Sequence, residues 1–268
     1  MRTLWLLTIL FLPALLINAQ NIKDRSGFTY GGGFGGAVAS GKNALFYNGA
    51  PETQNAVVNV IGNEYYKEII YEILKDNIKS ISYPSKMRYN PAVSLHGYLG
   101  YVIANKNSVF GQLTYSSYST EGIFSVELAS LNTESKVDNN KYYEGGIKAS
   151  ESRVDIEFGY HISIGEYDGK KIPFVEILGN INSVTVKKHD MQLGSFTSSL
   201  IHVNANNYYT NQDQGGMGYG FGFAVGMEFS YKTRMYYTLG VKATLKTIHL
   251  LENPSLTPHG ELFFRILL

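Results

Sequence analysis

The feature that most constrains this chain is a period of two that keeps returning with one parity filled by bulky apolar residues. In "MGYGFGFAVGMEFSY", residues 217 to 231, the odd positions are Met217, Tyr219, Phe221, Phe223, Val225, Met227, Phe229 and Tyr231, and the even ones are Gly218, Gly220, Gly222, Ala224, Gly226, Glu228 and Ser230. A strand sends successive side chains to opposite faces, so the two sets face different surroundings. In a soluble sheet the apolar face covers a core and the other meets water. In a membrane barrel the apolar face meets lipid and the other lines the lumen. Bulk on one side and near emptiness on the other favour the barrel, because lipid accepts large side chains and a narrow lumen does not.

The same template recurs at residues 28 to 39, 92 to 104, 109 to 118, 153 to 164, 172 to 186, 235 to 247 and 259 to 268, which makes eight segments. In "RVDIEFGYHISI" the apolar set is Val154, Ile156, Phe158, Tyr160, Ile162 and Ile164, opposite Arg153, Asp155, Glu157, Gly159, His161 and Ser163. In "MYYTLGVKATLKT" Leu239, Val241 and Leu245 oppose Thr238, Lys242 and Lys246. The fifth segment keeps Val175, Ile177 and Ile181 on one parity and then changes at Val184 and Val186, which predicts a bulge or the membrane edge near there. Connections alternate between long stretches and tight turns, as expected of a barrel with long outer loops and short periplasmic turns. The fold class read from this is all-β: an eight-stranded antiparallel transmembrane β-barrel with both termini periplasmic.

The first twenty residues, "MRTLWLLTILFLPALLINAQ", run from Arg2 through an apolar stretch to Ala19. That order reads as a secretory signal over residues 1 to 19, leaving 20 to 268 as the barrel domain. With Arg2 removed, the 23 basic residues become 22, against 22 acidic ones, so no nucleic-acid partner is expected. The absence of cysteine excludes disulfides, thiolate metal sites and lipid attachment at a cysteine. The 28 glycines and 21 tyrosines suit a barrel wall that must bend and two interfaces that take amphipathic rings.

With these segments in hand, the chain resembles the small eight-stranded outer-membrane barrels of the OmpX/OmpA type, in the form common among Bacteroidota. The residues that carry the likeness are "LLINAQ" at the signal junction, the alternating strands, and the ending "ELFFRILL", where Leu262, Phe264, Ile266 and Leu268 form an outward face. It covers roughly residues 21 to 268 and departs from the pattern at Leu268, where many such barrels end in phenylalanine. The resemblance implies the bacterial outer membrane and includes components of secretion and assembly machines.

Inward parity collects His96, Arg153, Asp155, Glu157, His161, Glu176, Glu228, Lys242, Lys246, Glu261 and Arg265 as a lumen charge cluster. Paired charges that fasten a filled interior are the expected reading, with Arg265 reaching between Glu176 and Glu228. No catalytic set is fixed by a motif: His189, Asp190, His202, His249 and His259 with Ser195, Ser198 and Ser199 lie near rims at no diagnostic spacing. No metal site and no cofactor is expected, and "YGGGFGG" carries its glycines at strand spacing rather than before a helix.

The first outer loop breaks the β pattern with a helical insertion over about residues 51 to 79. In "NEYYKEIIYEILKDNIKS" Tyr66, Ile69, Ile70, Ile73, Leu74 and Ile78 recur at helical spacing, which predicts an amphipathic helix from Glu64 to Lys79 capped by Asn63. This stripe is the candidate partner-binding surface, and a lid packed on its own loops is the alternative. The function expected is non-enzymatic: a structural or accessory subunit presenting extracellular loops to other outer-membrane proteins or lipoproteins, with outer-membrane lipid around it. The rivals are a small-solute channel and a rim-site barrel protease, lipase or acyltransferase.

Overall fold

A computed structural model describes residues 27–53, 55–104, 107–129, 142–164, 171–201, 214–232, 235–250 and 254–268. The expected signal at residues 1 to 19, and His202 with most of the third long loop, lie outside them. In chain order the elements are β1 (Gly27–Val38), α1 (Gly41–Ala44) continued by a 3-10 turn (Leu45–Tyr47), α2 (Val57–Ile61), α3 (Glu64–Leu74), β2 (Ile78–Ser82), β3 (Ala92–Ala104), β4 (Asn107–Leu128), β5 (Tyr142–Ser163), β6 (Lys171–Leu193), β7 (Phe196–Ser199), β8 (Gly215–Lys232), β9 (Met235–Thr247) and β10 (Leu256–Leu267).

Eight of these strands close a ring. β1 pairs with β3 and β10, and the circuit runs on through β9, β8, β6, β5 and β4 back to β3, every pairing antiparallel. Closure leaves the ring without an exposed edge. At the seam, Gly33 lies opposite Arg265. A Cβ on Gly31 or Gly33 would run into the carbonyl of Ile266 or Phe264, so only glycine lets β1 approach β10 this closely. Outward positions such as Phe221, Phe223, Leu239, Val241 and Leu262 are exposed, while their inward neighbours Ala224, Lys242 and Phe263 are buried. An apolar exterior around a polar, filled interior is the arrangement of a barrel in lipid.

Three strands outrun the segments expected from sequence. β4, β5 and β6 contain 22, 22 and 23 residues, about twice the ~9–11 that a bilayer requires. The outward apolar belt ends at Tyr115, Val154 and Ile181; directly above it the outward set is Ser117, Ser152 and Ser183, with Ile123 and Tyr142 returning only toward the strand tips, and the buried inward set becomes Phe124, Val126, Ile147, Met191 and Leu193. The strand continues, but the sense of its alternation inverts as lipid gives way to water outside. That inversion is the expected change of parity, at the membrane edge: Val184 and Val186 are inward and buried. The bulge comes one step later, where Glu151 pairs with Val186 but Ser150 with Lys188.

β2 and β7 lie outside the ring, paired to the upper ends of β4 and β6. With the extensions of β4, β5 and β6 they form a five-stranded sheet beyond the lipid boundary, and α2 and α3 pack on its inner face. The shared core is Val57, Val60, Ile61, Ile70, Leu74, Phe124, Val126, Ile147, Met191, Leu193 and Leu200. α3 is shorter than expected. Asn63 caps it by accepting from the Tyr65 amide at 2.9 Å, but it ends at Leu74, with Lys75 in the left-handed region at φ 55°. Ile78 belongs to β2 and enters this core from the sheet.

Candidate functional site

Inward positions of the ring strands fill the lumen in layers, described here from the end with short turns toward the end with long loops. Lowest is an aromatic layer: Tyr98 stacks on Phe110 at 5.4 Å, and Phe174 on His161 at 4.9 Å. Arg265 sits over Phe263 at 4.1 Å and Tyr98 at 5.1 Å, a placement in which the ring faces attract the cation. Its two terminal nitrogens donate to the two oxygens of Glu176 at 2.6 and 3.1 Å. The expected bridge from Arg265 to both carboxylates is therefore corrected. His161 makes that link, with Nδ1 3.1 Å from Glu176 and Nε2 3.4 Å from Glu228.

The middle layer centres on Lys242, whose Nζ donates to both oxygens of Glu157 at 2.8 Å and lies 2.7 Å from Glu261. Glu261 is also 3.1 Å from His96 and accepts from Ser94. Gln112 donates to Glu157 at 2.9 Å. Beside this group Lys246 and Asn180 donate to Asp155 at 2.8 and 3.0 Å. A cavity of about 20 Å³, as traced by the centre of a water molecule, lies among Thr114, Asp155, Lys242, Lys246, His259 and Glu261. That is room for about one or two waters.

The loop end is closed by the chain itself. The 3-10 turn after α1 inserts Tyr47, fully buried, and its hydroxyl donates to Glu151 at 2.5 Å. Tyr89 donates to the same carboxylate at 3.0 Å, and Arg153 Nε at 2.6 Å. Arg153 lies 4.4 Å from the Tyr118 ring centre. Ala44, Phe46 and Tyr47 cluster with Met87, Ala149, Val184, Val186, Ile248 and Leu250 to complete a plug. From the wall, His189 Nε2 donates to the Tyr47 carbonyl at 3.2 Å. Both groups lie above the outward apolar belt. Burial pushes the His189 imidazole down to about 4, the carbonyl bond only partly opposing it. Burial and the neighbouring Glu151 carboxylate raise the Tyr47 phenol well above its usual value.

No family model matches the chain, and no curated protein does. Its structural neighbours are outer-membrane barrels. They include Neisserial surface protein A, at 11% identity and TM-score 0.46 over 91% of this chain and 97% of that one. OprG from Pseudomonas aeruginosa is similar at 11% identity and TM-score 0.41 over 91% and 94%. The N-terminal β-barrel domain of Pseudomonas aeruginosa OprF follows at 10% identity and TM-score 0.32 over 91% and 98%.

All nine charged residues expected in the lumen, Arg153, Asp155, Glu157, Glu176, Glu228, Lys242, Lys246, Glu261 and Arg265, are buried there with His96 and His161. Sequence reasoning missed Glu151, although it continues the inward parity of Arg153, Asp155 and Glu157, because its neighbours Ser150 and Ser152 are polar and no apolar alternation marks it. It also missed Tyr47, which no period marks. The partner-binding stripe is corrected. Tyr66, Ile70, Ile73 and Leu74 turn onto the core beneath the helix, Ile78 is in a strand, and only Ile69 of the six is exposed, at 47%. A helix resting on an apolar sheet buries the stripe that made it legible. The other side of α3 presents Tyr65, at 78% exposure, and Tyr71.

Among the described residues the rim candidates do not converge. His189 faces inward, whereas Asp190 is bound to Lys188 at 3.1 Å on the other face of β6. His259 is a lumen residue, 3.3 Å from Arg153. His249 is exposed at the end of β9, and Ser198 and Ser199 lie on β7.

Proposed function

We propose that the protein is a plugged, non-enzymatic barrel of the bacterial outer membrane that holds a small folded domain outside the cell as an accessory subunit of a larger assembly. The observation that carries this reading is the combination of a lumen filled by paired charges and a Tyr47 plug with a lid of two helices on a five-stranded sheet. Eight strands enclose a space just wide enough for side chains, which argues against a solute channel. A barrel that conducts nothing still displays what its strands carry beyond the lipid. The exposed Tyr65, Ile69 and Tyr71 side of α3 is the surface offered to a partner protein or lipoprotein. Extraction in mild detergent followed by affinity recovery tests the proposal. A stoichiometric companion lost on Tyr65→Ser with Ile69→Ser supports it; steady conductance of the purified chain in planar bilayers, or a hydrolytic activity, overturns it.

A further inference from the structure

The outward face of β4, β5 and β6 just above the apolar boundary differs from that of the rest of the ring. Tyr115 pairs with Val154, and Val154 with Ser183, so the boundary is level on β4 and β5 and one residue pair lower on β6, whose last outward apolar residue is Ile181. At and above it lie six hydroxyl residues of outward parity: Ser117, Ser119 and Ser183 are exposed, Ser150 and Thr185 half-buried, and Ser152, between them, is buried. They form one patch through the pairings Ser117 with Ser152, Ser119 with Ser150, and Ser152 with Thr185. Ser119 accepts from Asn90 at 3.1 Å. The other five have no side-chain partner among the described residues. Elsewhere in the ring outward residues stay apolar up to the loop end, as at Val38, Val93, Met217 and Leu256.

The β6 bulge crowns this patch. Because Lys187 is the extra residue in the register, Lys187 and Lys188 are consecutive and yet both exposed, where alternation would have turned one inward. Lys148 stands beside them on β5, 3.9 Å from Glu121, and Lys188 is 3.1 Å from Asp190. Lys187 has no carboxylate partner among the described residues. At ~3.3 Å per residue and ~40° of strand tilt, the lysines lie about 10 Å above Ser183. Their side chains can reach back down toward the headgroup layer.

We infer that this wall binds the phosphorylated sugar headgroup of an anionic glycolipid in the leaflet at the loop end. Small hydroxyl residues let a sugar ring lie flat and supply both donors and acceptors, while the bulged lysines meet its phosphate. This rests on the reading of the barrel as a membrane protein and goes beyond it. The test counts bisphosphorylated lipid A retained by the detergent-purified full chain, by native mass spectrometry. The wild type should retain it about tenfold or more better than does Lys187→Glu with Lys188→Glu, at about one decade for one to two surface charges. Lipid A stripped of its phosphates should bind the wild type no better than the phosphorylated form binds that variant. Lys171→Glu, at the opposite end of β6, should bind like wild type, and inorganic phosphate should not displace the lipid. Equal retention of the two lipid forms, equal loss in Lys171→Glu, or displacement by phosphate overturns the inference. The heat-modifiable folded band and insertion into nanodiscs are scored in parallel. Their absence in the wild type overturns the membrane reading itself, whereas a folded, inserted wild type without lipid preference overturns only this site.

Discussion

Arg265 and Glu176 meet in the lower lumen as a two-pronged pair, 2.6 and 3.1 Å between nitrogens and oxygens, although 89 residues separate them in the chain. The pair fastens β10 to β6 across the barrel. Removing one partner leaves a buried charge without compensation, so Arg265→Met should cost about 3–5 kcal/mol. Arg265→Met with Glu176→Leu should recover most of that loss. Urea unfolding in lipid measures both, and a single variant as stable as wild type would contradict the arrangement.

Outward Val241 should not tolerate charge. Val241→Arg is expected to cost about 2–4 kcal/mol near the bilayer midplane, whereas Ser117→Arg, above the apolar boundary on β4, should cost about 0–1. Equal costs would mean that the boundary between Tyr115 and Ser117 is misplaced.

The lid should separate into a structural and a presented side. Ile70→Asp or Leu74→Asp places a charge against the core of Val57, Phe124 and Met191. Either should open the first long loop to proteolysis while leaving the ring folded. Tyr65→Ser with Ile69→Ser should leave proteolysis unchanged.

Protonation of His189 should loosen the plug. Its folded value, about 4, lies below the ordinary 6.5, so between those pH values the unfolded segment binds more protons than the folded one. Stability of the plug is therefore complete above pH 6.5 and falls as pH drops toward 4. Protection of the Leu45, Phe46 and Tyr47 amides, taken relative to the intrinsic exchange rate at each pH, should fall through that window, and His189→Gln should flatten the dependence. Protection that rises on acidification would reverse the sign and remove His189 as the cause.

Deleting residues 41 to 47 should not open a pore. The Lys242 layer and the aromatic layer of Tyr98, Phe110, Phe174 and Phe263 remain below the plug. Planar-bilayer recording should show no steady conductance, and a stable open level would show that the plug is the only barrier.

Within the lipid the chain was legible because lipid and lumen impose opposite demands on adjacent residues, so Phe221 beside Gly222 or Val241 beside Lys242 declares its face. Charge identity in the lumen followed from the same parity, but partner choice did not. Whether Glu228 meets Arg265 or His161 depends on stagger and ring orientation rather than on spacing. Beyond the boundary the polarity of the pattern inverts at Ser117, Ser152 and Ser183, and a template tuned to apolar-outward strands stops there although the backbone continues. Tyr47 was hidden for a different reason: a plug residue is chosen by one long-range bond to Glu151, which leaves no local period.

β4 and β5 run from the lumen into the lid without a break in their pairing from Asn107 with Ile162 to Glu127 with Tyr142. Such a continuous ribbon has no hinge. The lid therefore cannot swivel or bow independently of the barrel, and the tip of β4 stands at a set height of about 25–30 Å over the apolar boundary. Anything that docks there inherits both that altitude and a fixed compass bearing in the plane of the bilayer.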